Sequence, residues 1–134
     1  MRVVFVCTGN TCRSPFAAAV AQRGGSVEAS SAGIHATEGL NAPDDALSAA
    51  RERGVDLESH RSSLLTGEML ERADVVVGMT ADHVRWLEEH GARGKARLLG
   101  RADLDDPIGC GHDTYNRVYA RIEEDVRCLL EEFP

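Results

Sequence analysis

Long apolar runs are missing from this 134-residue chain. No stretch approaches the roughly 18 residues that a membrane span requires. The apolar run near the N-terminus, Val3 to Val6, is four residues long, short of the roughly 7–15 of a secretory signal. The expectation is a cytoplasmic protein with no membrane role. Positive charge is scarce too. Twenty-two acids against fifteen bases leave a formal net charge of −7, the wrong sign for a face that neutralises nucleic-acid phosphates. One local anion site survives this test, because oriented amides and a single Arg dominate at short range. The cysteines number only four, Cys7, Cys12, Cys110 and Cys128. Their spacings match no common zinc pattern, and a chain without a secretion signal is not expected to depend on disulfides. Aromatic residues make up 4%, and none stands between residues 17 and 85. Repeats, low-complexity stretches and linkers are absent as well, so residues 1–134 read as one domain.

What is present alternates. Val3 to Val6 is β-branched and aromatic throughout, as in a strand covered on both faces. A loop with Gly9 and Asn10 follows. Pro15 then fits the first turn of a helix over Phe16 to Arg23, stopped by Gly24 and Gly25. Residues 26–31 predict a second strand leading into Ser31-Ala32-Gly33, and residues 34–42 a loop. Pro43 opens a helix through about Arg53, and a short helix follows Thr66. Residues 73–79 predict a second buried strand. Thr80 is a suitable N-cap for a helix to about His90, with Gly91 as its stop. Residues 96–99 suggest a short strand and 101–112 a polar loop. The last helix is expected from Asp113 to near Glu132, with Val118, Ile122, Val126, Leu129, Leu130 and Phe133 as its buried stripe. Met79 and Trp86 read as core or helix-face residues. Such alternation predicts an α/β fold with a parallel sheet and helices on both faces. Ligands in such folds sit beyond the carboxyl ends of the strands.

The loop after the first strand combines four features that one chemistry needs together. Cys7 stands where the strand ends, and Gly9 suits a loop that turns its N–H groups inward. The next helix aims its positive end at the same spot. Arg13 supplies a planar fork for two oxygens of a phosphate. Thr8, Gly9, Asn10, Thr11, Cys12 and Arg13 would then cradle an oxyanion above the Cys7 sulfur. The cation and the helix end favour thiolate over thiol. Attack on phosphorus would give a covalent intermediate whose charge Arg13 and the amides hold, so no metal and no cofactor is implied. A nucleotide loop of the GxxxxGK[ST] kind is absent.

Cys7, five intervening residues, then Arg13-Ser14-Pro15 resembles the signature of the low-molecular-weight protein tyrosine phosphatase family. The likeness extends to Ser31-Ala32-Gly33, Ser59-His60-Arg61, Ala73-Asp74-Val75 and Asp106-Pro107. It implies a four-stranded parallel twisted sheet flanked by helices. It also implies a monomeric phosphatase with Cys7 as nucleophile, Arg13 as phosphate clamp and Ser14 as the hydroxyl that stabilises the thiolate. Asn10 would hold the loop in shape, with Ser31 and His60 behind it. Asp103, Asp105 and Asp106 share the late loop, and the resemblance puts the general acid at Asp106 beside Pro107. Cys12 reads either as packing or as the partner of Cys7 in a reversible disulfide. Cys110 and Cys128 read as structural or incidental.

Tyrosine-specific relatives commonly carry Ile at the position of Thr11, with aromatic residues after the Asp-Pro and near Thr37. This chain has Thr11, Ile108 and no such aromatics. Without aromatic walls a flat phenyl ring gains little from stacking. Thr11 instead resembles the bacterial protein-arginine phosphatases of the same family, so phosphoarginine is favoured over phosphotyrosine on the protein substrate. Three other classes are weighed. Arsenate reductases share the fold but need further relay cysteines, and residues 74–109 contain none. A phosphocysteine carrier would not need Arg13 and a late acid. A binding module without catalysis would not need Cys7, Arg13 and Asp106 together.

Overall fold

The structure, a computed structural model, describes residues 1–133. Four parallel strands form one sheet in the order β2-β1-β3-β4: β1 Arg2–Cys7, β2 Glu28–Gly33, β3 Val75–Gly78 and β4 Ala96–Leu98. The period-two pattern of β1 explains its central place. Val3, Phe5 and Cys7 enter one apolar core, while Val4 and Val6 enter the other. The first core is closed by α1 (Arg13–Gly24), α2 (Asp44–Glu52) and α5 (His112–Leu130). The second lies under α3 (Gly67–Arg72) and α4 (Ala81–Leu87). Among the described residues no helix is long and apolar enough to cross a membrane.

The chain leaves β1 for β2 on one side, then crosses β1 to place β3 on the other. The carboxyl end of β1 is therefore the switch point where an open α/β sheet leaves a crevice. The Cys7 loop occupies it.

Three boundaries differ from expectation, each for a local reason. β2 starts at Glu28 and runs through Gly33, pairing Ser31, Ala32 and Gly33 with Phe5, Val6 and Cys7. Those small residues have weak strand preference, and pairing with β1 overrides it. Helix α1 starts at Arg13, so Pro15 is its third residue. Helix α4 ends at Leu87, and a π-turn (Glu88–Ala92) follows, in which His90 and Gly91 leave helical geometry. On α5 the buried stripe begins a turn earlier than expected, with Tyr115 and Tyr119. The Tyr119 ring stacks flat on Phe16 of α1, 3.9 Å between centroids, a contact worth roughly 0.5–1.5 kcal/mol beyond burial.

Candidate active site

Gly33 sets the path of the Cys7 loop. A Cβ there would stand 2.6 Å from the Thr8 carbonyl oxygen and 2.9 Å from the Asn10 nitrogen, so only glycine lets the loop lie against β2. Ile34 N–H donates to the Cys7 carbonyl and His35 N–H to that of Thr8, both at 3.0 Å. With those carbonyls held on the β2 side, the loop curls the other way. The turn is made at Asn10 (φ 56), while Gly9 stays outside the left-handed region. Gly9, the residue that the sequence offered for curling the loop, is thus not the one with positive φ. Asn adopts it at a cost of order 1 kcal/mol because its side chain bonds locally.

Those bonds are extensive. Asn10 Nδ2 donates to Ser14 Oγ (2.8 Å) and Ser31 Oγ (2.9 Å), and its Oδ1 accepts from Ser63 N–H (2.9 Å). The Asn10 carbonyl accepts from His60 Nε2 at 2.7 Å. Four residues from three segments therefore hold one strained residue. The Cys7 sulfur, 2% exposed, sits 2.9 Å from Ser14 Oγ and accepts from Asn10 N–H at 3.3 Å. Since Ser14 already accepts from Asn10, its own hydrogen is free to turn to sulfur. Both groups can therefore point a hydrogen at the sulfur.

Helix α1 begins under the loop with no side-chain cap and no acid in its first turn, so its positive end is left for an anion. Arg13 is 5% exposed. Its Nη1 donates to the Leu104 carbonyl at 3.0 Å, which anchors one end of the guanidinium to the late loop. Its Nε is buried without a hydrogen-bond partner among the described residues, and Nη2 has only Asp106 Oδ2 at 3.9 Å. The Nε–Nη2 edge is the one that grips two oxygens of an oxyanion. A buried donor left unpaired costs about 1–3 kcal/mol, a cost that a bound anion relieves.

The three late acids separate in space. Asp103 Oδ1 accepts from Ala81 N–H at 2.8 Å, at the start of α4. Asp105 is exposed and lines neither cleft described below. Asp106 faces the loop, its Oδ1 held by Ile108 N–H at 3.1 Å in a turn made by Pro107.

Two adjoining hollows share Thr8, Arg13 and Asp106. One, about 220 Å³, lies over Cys7 between Thr11, Cys12 and Ile108. The other, about 400 Å³, continues past Thr8 to Ile34, His35, His83 and Trp86. Behind the first, Tyr115 Oη lies 3.1 Å from Cys12 Sγ, and Tyr119 Oη donates to the Cys12 carbonyl at 2.8 Å. Burial pushes the Cys12 thiol and both phenols up.

Compared with known proteins, the chain matches the family model described as low molecular weight phosphotyrosine protein phosphatase over residues 2–134. The chain belongs to this family. A protein-arginine-phosphatase of Bacillus subtilis is 35% identical, covering 98% of this chain and 96% of its own. The solved YwlE arginine phosphatase from Geobacillus stearothermophilus superposes with a TM-score of 0.92 at 35% identity, over 98% of this chain and 91% of that one. The tyrosine phosphatase Wzb from Escherichia coli K30, solved with sulphate, gives 0.94 at 26% identity, over 99% and 98%.

Within this phosphatase-family fold, Cys7, Asn10, Ser14, Ser31 and His60 form one hydrogen-bonded cluster, with Arg13 and Asp106 beside it. Thr11 and Ile108 reach the rim of the Cys7 hollow. Thr37 does not. It is exposed, lines neither hollow, and lends only its carbonyl to Ser62, while Ile34 and His35 approach instead. Trp86, read from sequence as a core or helix-face residue, is half-buried on the wall of the second hollow, stacked on His90 at 3.8 Å. His83 and Tyr115 escaped the sequence reading. The offset of three from Thr80 to His83, a capping-box spacing, and the i, i+4 pair Tyr115 and Tyr119 were the available signals.

His83 is depressed to about 4, by burial first and then by Arg13, against Asp103, Asp82 and Asp106. The unfolded chain holds a proton on this ring below about pH 6.5 that the folded chain refuses. Its contribution to stability is therefore complete above pH 6.5 and is lost as pH falls towards 4, by about 1.4 kcal/mol per pH unit. Urea unfolding at pH 7, 6, 5 and 4 should show this slope, and His83→Phe should flatten it. Equal slopes in both proteins would remove His83 as the cause.

Proposed function

We propose that this chain is a protein phosphatase acting through a phosphocysteine at Cys7. The sulfur attacks phosphorus in line with the leaving atom, forming the S–P bond as the bond to the side chain breaks. Arg13 and the first amides of α1 hold the equatorial oxygens. Asp106 gives its proton to the leaving atom, then takes one from the water that attacks phosphocysteine. Inorganic phosphate leaves, and the Ser14 hydrogen bond steadies the departing thiolate. The observation that carries this reading is a buried Arg13, its Nε without a partner among the described residues and its Nη2 held only by Asp106 at 3.9 Å, in the same hollow as Cys7.

Phosphoarginine is the favoured substrate side chain. Supporting it are the hydroxyl of Thr11 and the aliphatic Ile108 at the rim, with no aromatic residue among the described ones lining the Cys7 hollow. The relatives named protein-arginine phosphatases support it as well. Thr11→Ile should lower kcat/KM for a phosphoarginine peptide by about 10- to 100-fold relative to a phosphotyrosine peptide, the range one hydroxyl contact commands. An unchanged ratio would defeat the substrate assignment while leaving the phosphatase chemistry standing.

The same reading takes residues 1–134 as a single cytoplasmic domain, monomeric, needing no metal, cofactor, membrane or nucleic acid. It includes a reversible Cys7–Cys12 disulfide as protection against oxidants. Cys12's proximity in the loop supports this, and its raised thiol would make it a slow resolving group.

A further inference from the structure

His83 has no part in the phosphoryl transfer just described, yet it is 6% exposed and hydrogen-bonded to the residue that follows the nucleophile. Gly78 makes its position possible. A Cβ at Gly78 would lie 2.9 Å from His83 Cβ, so the glycine at the end of β3 lets the first turn of α4 press onto the sheet. Thr80 caps that turn and its own N–H donates to His83 Nδ1 at 3.2 Å. A backbone N–H only donates, so Nδ1 carries no hydrogen. The neutral ring then bears its single hydrogen on Nε2, 2.9 Å from Thr8 Oγ1, and Nε2 is the donor of that bond. Burial and the neighbouring Arg13 keep the ring neutral at working pH.

The consequence falls on Thr8. With one lone pair taken by His83, its hydroxyl hydrogen points elsewhere, and among the described residues Thr8 Oγ1 has no second partner. Thr8 is exposed and borders both hollows, across from Arg13. We propose that His83 is a positioning residue that aims the Thr8 hydroxyl hydrogen at a non-bridging oxygen of the phosphoryl group during transfer to Cys7. This rests on the phosphatase reading of the Cys7 site. It adds a side-chain donor to the backbone amides and Arg13, on a residue that the sequence offers only as part of the loop.

Two isosteres separate this role from helix capping. Gln places an amide donor near Nε2 but lacks the Nδ1 acceptor, and Asn does the reverse. In kcat/KM with p-nitrophenyl phosphate, His83→Asn and Thr8→Val should each lose about 100-fold, the lower end of the range for one oxyanion donor. His83→Gln should retain most activity while its melting temperature falls below that of His83→Asn. The Thr8→Val, His83→Asn double variant should be no slower than Thr8→Val alone, since the second change removes nothing further. Full additivity, or activity that follows melting temperature across the set, would overturn the proposal. Wild-type protein inert towards p-nitrophenyl phosphate would instead sink the phosphatase reading beneath it.

Discussion

Cys7→Ser is expected to remove hydrolysis of p-nitrophenyl phosphate altogether, a loss of at least about four orders of magnitude. The substitution keeps the volume of a side chain that is almost wholly buried and already bonded to Ser14 and Asn10 N–H, so folding should be unaffected. What it removes is the nucleophile. A serine hydroxyl needs a base to take its proton. The groups bonded to position 7, Ser14 Oγ and Asn10 N–H, are placed as donors to it, and His60 is committed to the Asn10 carbonyl. The substituted protein should still bind vanadate or phosphate, because the Arg13 edge and the α1 amides are intact. Turnover above one thousandth of wild type, with an unchanged melting temperature, would eliminate sulfur as the nucleophile.

Asp106→Ala should give the second large effect, and a more informative one. General acid–base groups contribute about 10²–10⁴-fold, and here one carboxylate serves both half-reactions. p-Nitrophenolate leaves readily without a proton, so formation of phosphocysteine should survive better than its hydrolysis. The expected record is a burst of one nitrophenol per enzyme followed by a steady rate about 10²–10⁴-fold below wild type. Intact-protein mass spectrometry should find the phosphoryl group on Cys7. Asp105→Ala should leave the rate within a few-fold, since Asp105 borders neither hollow. Matching losses in the two variants would return the assignment of the acid to the open. A steady rate without a burst in Asp106→Ala would confine the carboxylate to the first half-reaction.

The two ends of the site were not equally legible in the sequence. Residues 7–14 are contiguous, and their chemistry is set by neighbours within one turn of chain. The thiol, the cation and the helix start could therefore be read together. The alternation of elements likewise yielded the parallel sheet, because buried strands and amphipathic helices leave different periods. Contacts made by tertiary packing carried no such mark. Leu104 holds Arg13 through a backbone carbonyl, and Ser63 holds Asn10 through a backbone N–H, so their side chains are uninformative. His83 is 75 residues from the threonine it bonds. Ser31 and His60 were legible as partners of Asn10 only through family likeness. The turn at Asn10, rather than Gly9, was hidden because asparagine is admitted to the left-handed region by its hydrogen bonds and not by its lack of a Cβ.

The clamp of α5 on the loop also orders events during biosynthesis. Cys7 and Cys12 leave the ribosome well ahead of α5. The ring that fixes the Cys12 carbonyl and stacks on Phe16 belongs to Tyr119, made 107 residues after Cys12. Chains are built from the N-terminus, and early segments begin folding while later ones are still unmade. A nascent or truncated chain that stops short of Tyr119 thus carries the Cys7 thiol without the contacts that fix its loop, and any phosphate release would have to wait for α5.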